Sequence, residues 1–353
     1  MPMLSRRDLL FTATAAGSVM MALPVGRLAA QSARRPVQAT FGPGIAVYAA
    51  NMVAVEAGFA GKEGLDLKLV VTESGTQSRQ LLAGGQALFG HGDTSNALQI
   101  ANRGRTNKML LSSESRASYA NIVIRRDLFE QGLTSVEALG GWRRPDGSKP
   151  ILAATAVGSG TWMFGTYIFE TVGKGDAVTW VGGGNQRIML GGLSSRQFDA
   201  IVAYPSWVID AERFGWGRTI FDGSDEPTWN RIFGGSVPVQ AVYALDQTIK
   251  NQPDLTQAYV NTIYAALQWL KQAAADSIVE LIGEKYFPGV ERETLVKEFE
   301  FYRAVWNFDG GVDRDGYERG GRIWFRPTTD IKPIAYTDAV NTGFLDHAKR
   351  KLG

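Results

Sequence analysis

The residues most suited to chemistry in this chain are Ser159, Gly160 and Thr161, preceded by Gly158. They stand where the apolar run of residues 151–155 stops and a long apolar, helix-like segment begins. The first amides of a helix have no internal acceptors, and the helix dipole favours negative charge there. Glycine bares those amides and the hydroxyls add donors, so the stretch could hold a carboxylate, sulfonate or similar oxyanion without a metal. Its plainer role is a tight turn with a cap. It lacks the Lys-Ser/Thr ending of a nucleotide P-loop and is no complete dinucleotide fingerprint.

Three other stretches have the same character. Gly44, Ile45 and Ala46 follow Gly42-Pro43 after an extended run; the glycines admit a guest close to backbone, or merely make a turn. Asp93, Thr94 and Ser95 lie in "GHGDTSN", where each is a good helix N-cap and the spare hydroxyls could donate to a ligand. Tyr204, after "FDAIVA" and before Pro205, could lay its ring or hydroxyl on a guest or pack in the core. Arg187, early in a further helix-like run, could pair with an anion or with a neighbouring carboxylate.

Catalytic and metal chemistry find little material. The chain has no cysteine and two histidines, His91 and His347. Thiol catalysis, zinc-thiolate sites and iron–sulfur clusters are therefore excluded, and no His-Glu-x-x-His pair exists. His91 has no partner in view and reads as a satisfied or exposed histidine rather than a proton shuttle. A hydrolase would need a nucleophile beside an activated base. No enzyme activity, cofactor or metal is expected.

The stretches above must be positioned by something, and the pattern supplies it. Short β-like runs, "VQATFG", "LDLKLVV", "QALFGHGD", "KMLLSS" and "NIVIRR", alternate with helix-like ones. After the polar "ALGGWRRPDGSKP" a second alternating set has "PILAAT", "VTWVGGG", "FDAIVAYP" and "RTIFDG", and "VQAVYAL" follows. Alternation of this kind predicts α/β architecture with parallel, doubly wound sheets covered on both faces. From Pro253 onward the texture is helical, with Tyr259, Ile263, Leu267 and Leu270 at helical spacing. Two α/β sets and a helical tail suggest two lobes, with candidate sites beyond the carboxyl ends of the strands.

The first thirty residues read as targeting. Ser5-Arg6-Arg7-Asp8-Leu9-Leu10 is a twin-arginine pattern, followed by an uncharged apolar stretch and the small residues Ala29 and Ala30. Cleavage near Ala30 and a periplasmic product are expected. The whole chain carries a formal charge of +2; losing residues 1–30 removes three arginines and one aspartate and leaves 34 basic against 34 acidic side chains. A neutral surface does not suit nucleic acid or an anionic membrane as partner.

The segments taken in order resemble a family. Gly58-Phe59, Lys62-Glu63-Gly64-Leu65, Leu81-Leu82-Ala83-Gly84 and Phe89-Gly90, then Gly158-Ser159, Val181-Gly182-Gly183, Arg187, Gly192, Asp199-Ala200 and Pro205, are similar to periplasmic solute-binding proteins of ABC importers. The closest group serves nitrate, sulfonates, taurine and thiamine-pyrimidine precursors. The resemblance covers most of residues 37–245. It implies a bilobal type II periplasmic-binding fold, with lobe 1 formed by residues 34–126 and 239–353 and lobe 2 by 127–238, joined by two crossing strands.

It further implies a monomer that captures a small molecule between closing lobes and delivers it to a membrane permease and its ATPase. The loops starting at Gly44, Asp93 and Ser159, together with Tyr204, would line the cleft. These loops lack the dense Lys, Arg or His set that an inorganic anion would need, while Tyr48, Trp162 and Tyr204 lie near them. The expected guest is thus a small organic anion or polar heterocycle, sulfonate-, taurine- or carboxylate-like, with an apolar or aromatic body. A sensing role for a receptor, or a pyrimidine-precursor enzyme, are the alternatives that the resemblance leaves open.

Overall fold

Each of the ten β-like runs forms a strand. In the computed structural model, which describes residues 34–42, 46–72 and 75–353, these are β1 (Arg35–Phe41), β2 (Leu65–Val71), β3 (Phe89–Asp93), β4 (Asn107–Ser112), β5 (Asn121–Arg125), β6 (Ile151–Ala154), β7 (Thr179–Gly182), β8 (Ala200–Ala203), β9 (Gly217–Phe221) and β10 (Gln240–Leu245). Edge strand β2 alternates between buried Leu65 and Leu67 and exposed Asp66 and Lys68, whereas the internal β10 is buried along its whole length. Pro36 in β1 is tolerated because β3 pairs only from Ala39 onward, so the missing amide costs the ladder nothing on that side.

Two five-stranded sheets result, in the orders β2-β1-β3-β10-β4 and β7-β6-β8-β5-β9. The sequence reading expected parallel sheets; both are mixed. In the first, β10 runs antiparallel to β3 and β4, and in the second β5 runs antiparallel to β8 and β9. The cause is the connectivity. Each sheet receives its fourth strand from a segment that has just left the other sheet, so that strand enters from the opposite end. The crossings fall at residues 113–120 and 222–239. By pairing, β5 belongs to the second sheet.

Helices α1 (Ala49–Glu56), α2 (Gly75–Ala83), α3 (Thr94–Asn102), α4 (Gly160–Thr171), α5 (Gln186–Ser194) and α6 (Pro205–Arg213) follow strands and cover the sheets. The tail supplies α7 (Pro253–Gln272), α8 (Ala275–Tyr286), α9 (Arg292–Val305), α10 (Arg314–Trp324) and α11 (Gly343–Leu352). Tyr259, Ile263, Leu267 and Leu270 of α7 are fully or almost fully buried, packed into one core with Val37, Phe41 and Val242 of the first sheet. The tail also reaches the second sheet's side: α9 packs on α6 and α10 on α4. No helix among the described residues is long and apolar enough to cross a membrane. The twin-arginine segment lies outside the described residues.

Buried charge is balanced where it is structural. Asp199, at the start of β8, is fully buried, and its carboxylate receives Arg125 at 2.9 Å, Arg144 at 3.3 Å and the amide of Ile151 at 2.8 Å. Two cations and an amide together satisfy the oxygens of this buried carboxylate.

Candidate functional site between the two sheets

The carboxyl ends of the parallel strands in both sheets meet at one place. Asp93 ends β3, Gln240 opposite it begins the antiparallel β10, and Glu114 follows β4. From the second sheet come the turn after β6, with Thr155 to Gly160, and Tyr204 after β8; Ser118 and Tyr119 lie on the first crossing.

Asp93 caps α3, accepting the Ser95 amide at 2.8 Å and also the Ser95 hydroxyl on Oδ1. Its Oδ2 accepts the Tyr119 hydroxyl. Burial pushes the Asp93 carboxyl upward, opposed by these hydrogen bonds and by the Arg79 charge. Thr94 is committed to structure, its amide donating to Val239 O at 2.7 Å and its hydroxyl to Pro238 O. Of the three candidates on this stretch, none keeps a free donor for a guest.

The Ser159-Gly160-Thr161 turn begins α4 as the sequence suggests. Ser159 Oγ caps the helix at the Trp162 amide and donates to Ala156 O at 2.7 Å. Thr161 Oγ1 accepts the Thr155 amide at 3.0 Å, and the Thr155, Ser159 and Thr161 hydroxyls lie 2.8–3.0 Å apart. The two glycines have separate reasons. Gly158 has φ +81°, a left-handed backbone that other residues adopt at a cost. Gly160 must be bare because a Cβ there would lie 2.5 Å from Asp93 Oδ2 and 3.0 Å from the Tyr119 hydroxyl. The start of α4 thus abuts the protein's own carboxylate, and both sheets contribute to that contact.

Tyr204 is half-buried, its ring 5.5 Å from Tyr119 and 4.9 Å from Trp207. Ala46 is fully buried at the foot of α1; Gly44 and Ile45 lie outside the described residues. Arg187 is exposed on α5 and makes no ion pair among the described residues, so it is not gathered with the others. His91 is fully buried and satisfied. Asn51 donates to its Nδ1 at 2.6 Å, leaving Nε2 to donate to Ser113 Oγ at 2.7 Å, and burial lowers its pKa to about 3. A ring held neutral in this way is no proton shuttle near neutral pH.

Sequence reasoning missed a second set of polar groups. Glu114, Ser118 and Tyr302 are fully buried, yet among the described residues both Glu114 oxygens and the Ser118 and Tyr302 hydroxyls meet no partner at full hydrogen-bond geometry. The Ser118 hydroxyl acts on both titrations and its amide on that of Glu114, each lowering the pKa against the larger effect of burial. Burial raises the Glu114 carboxyl well above its ordinary range. Glu298, one helical turn before Tyr302 on α9, is 3% exposed with Oε1 unpartnered, and burial pushes its pKa up to about 7. A signal existed: Leu295, Glu298, Tyr302 and Val305 share one helical face, which puts an acid on an otherwise buried stripe.

Two mixed sheets that exchange their fourth strands, with a polar site at their facing carboxyl edges, define the periplasmic-binding-protein fold. The solved structures agree. A protein of Bordetella bronchiseptica RB50 superimposes with a TM-score of 0.75 at 23% identity, over 91% of this chain and 98% of that one. The periplasmic nitrate-binding protein NrtA of Synechocystis PCC 6803 gives 0.68 at 14% identity, over 90% and 89%. A putative periplasmic sulfonate-binding protein, SsuA of Methylobacillus flagellatus KT, gives 0.64 at 16% identity, over 91% and 95%. No curated protein matches the sequence. The chain belongs to the NMT1-like family, whose model matches residues 32–283.

Proposed function

We propose that this chain is the extracytoplasmic solute-binding component of an ABC importer, which captures one small organic molecule between two lobes and delivers it to a permease and its ATPase. The lobes are the two sheets with their covering helices, and the tail is shared between them. The observation that carries the reading is the meeting of both sheets' carboxyl edges, with Asp93 of one against Gly160 of the other. Ligand contacts made on both sides favour the closed arrangement by their difference in affinity. Ser159, Thr161 and Tyr204 would touch the guest from one lobe, and Ala46 and the Asp93 loop from the other. Periplasmic location after twin-arginine export belongs to the same proposal, as does a monomeric state.

A polar heterocycle suits this site better than a sulfonate or carboxylate. An oxyanion approaching α4 would meet the Asp93 carboxylate already lying there. A thermal-shift screen of organic acids, sulfonates, amines and pyrimidines tests the reading. The expected result is a compound that raises Tm, binds one-to-one by calorimetry, and is no longer taken up when the gene is deleted. Turnover of the bound compound would make the protein an enzyme; uptake that persists with a lost signalling response would make it a sensor.

A further inference from the structure

A groove opens between α6 and α9, lined by Gln186, Ser206, Asp210, Arg213, Glu291 and, at its floor, Glu298. The charges at its mouth are already matched. Arg213 donates to both oxygens of Glu291, at 3.0 and 3.2 Å, and Asp210 accepts Gln186 at 2.7 Å. The floor is different. Glu298 is buried with Oε1 unpartnered, the Ser206 hydroxyl and amide acting on its carboxyl; Tyr302, one helical turn on, and Ser118 and Glu114 are likewise buried with oxygens unpartnered among the described residues. Neither Glu298 nor Glu114 has a Lys or Arg within ion-pair distance among the described residues, in contrast to Asp199 with its two arginines. Two buried carboxyls with free lone pairs, and hydroxyls able to accept between them, form a receptor for N–H donors and repel oxyanions.

We propose that the guest is a small organic cation, an amidinium or ammonium compound, admitted through this groove and received by Glu298 and Glu114 with the Tyr302 and Ser118 hydroxyls between them. This rests on the solute-binding reading above and names the chemical class of its ligand. Charge-assisted N–H···O bonds would complete the unmade bonds of the floor. The apolar side of the groove, Phe287 and Pro288, gives the guest's body a wall. The groups that act on the Glu298 carboxyl are the Ser206 hydroxyl and amide and Asp210, all from α6; Arg213, Tyr286 and Glu291 line the same groove, and Tyr302, on α9 itself, feels both Glu298 and Glu114. With its pKa at about 7, Glu298 must release a proton to pair with a cation, so affinity rises with pH.

The test is calorimetry with benzamidine, benzamide and benzoate, which share one shape and differ in charge. It uses the wild-type chain, Glu298→Gln and Glu114→Gln, at pH 6 and pH 8. Benzamidine is expected to bind, at least about tenfold more weakly at pH 6 than at pH 8. Each glutamine variant should bind it at least about tenfold more weakly while still melting cooperatively, and Glu298→Gln should flatten the pH dependence. No benzamidine binding, benzoate or benzamide bound as tightly, or benzamidine affinity unmoved by both substitutions overturns the proposal. Benzoate binding that still draws the lobes together would remove the cation and leave the solute-binding reading standing. Benzamidine binding at Glu298 without compaction would do the reverse.

Discussion

Glu298 and His91 are two buried titratable side chains that burial shifts in opposite directions along the pH scale. Glu298 has a folded pKa of about 7 against an ordinary 4.5. Between those values the native chain keeps a proton that the unfolded chain has lost, so stability falls as pH rises through the window. The loss by pH 8 is about 3 kcal/mol. Glu298→Gln should therefore raise Tm relative to wild type at pH 8 and have little advantage at pH 4.5; thermal melts at both values check it. His91, at about 3 against 6.5, works the other way. Below pH 6.5 the unfolded chain binds a proton that the native ring refuses, and stability is lost as pH falls, by about 2 kcal/mol at pH 5. His91→Gln should lack that acid slope in denaturant titrations, whatever its stability at pH 8. At this scale the sequence was a partial guide. Asp93 and Ser159 were recognisable as caps from type and position alone. Glu114 and Tyr302 carry no motif, because what sets them apart is burial without partners, which only the assembled core creates.

The contact between the start of α4 and the end of β3 makes its own demand. A methyl at Gly160 would sit 2.5 Å from an Asp93 oxygen that Ser95 and Tyr119 hold in place. Gly160→Ala should therefore push the two sheets' edges apart while leaving each sheet intact. Small-angle scattering of the variant should give a larger radius of gyration than wild type, with an unchanged far-ultraviolet circular dichroism spectrum. An unchanged radius would mean that Asp93 yields instead. The elements themselves were legible: alternation and apolar runs marked all ten strands, and the 3.6-residue spacing marked α7. The direction of β5 and β10 was not. Period-two burial is the same whichever way a strand runs, so antiparallel insertion follows from the chain's path between sheets and from nothing local.

At the scale of the whole molecule, exchange of the fourth strands leaves two sheets tied at residues 113–120 and 222–239, a hinge-like arrangement closed over by α9 and α10. The order of motifs along the chain pointed to this architecture more strongly than any single motif did. The guest's chemistry was read from the loops that bear recognisable caps, and those loops prove to be satisfied by their own hydrogen bonds. A chain without cysteine allows the central claim to be tested directly, because two introduced thiols would be the only ones present. Lys68→Cys on β2 and Asp176→Cys before β7, both at exposed positions, can carry a fluorophore pair for single-molecule energy transfer. Titration with a compound that raises Tm should shift the population to higher transfer efficiency, saturating at one equivalent. A compound that binds one-to-one and leaves the efficiency distribution unchanged would contradict capture between moving lobes.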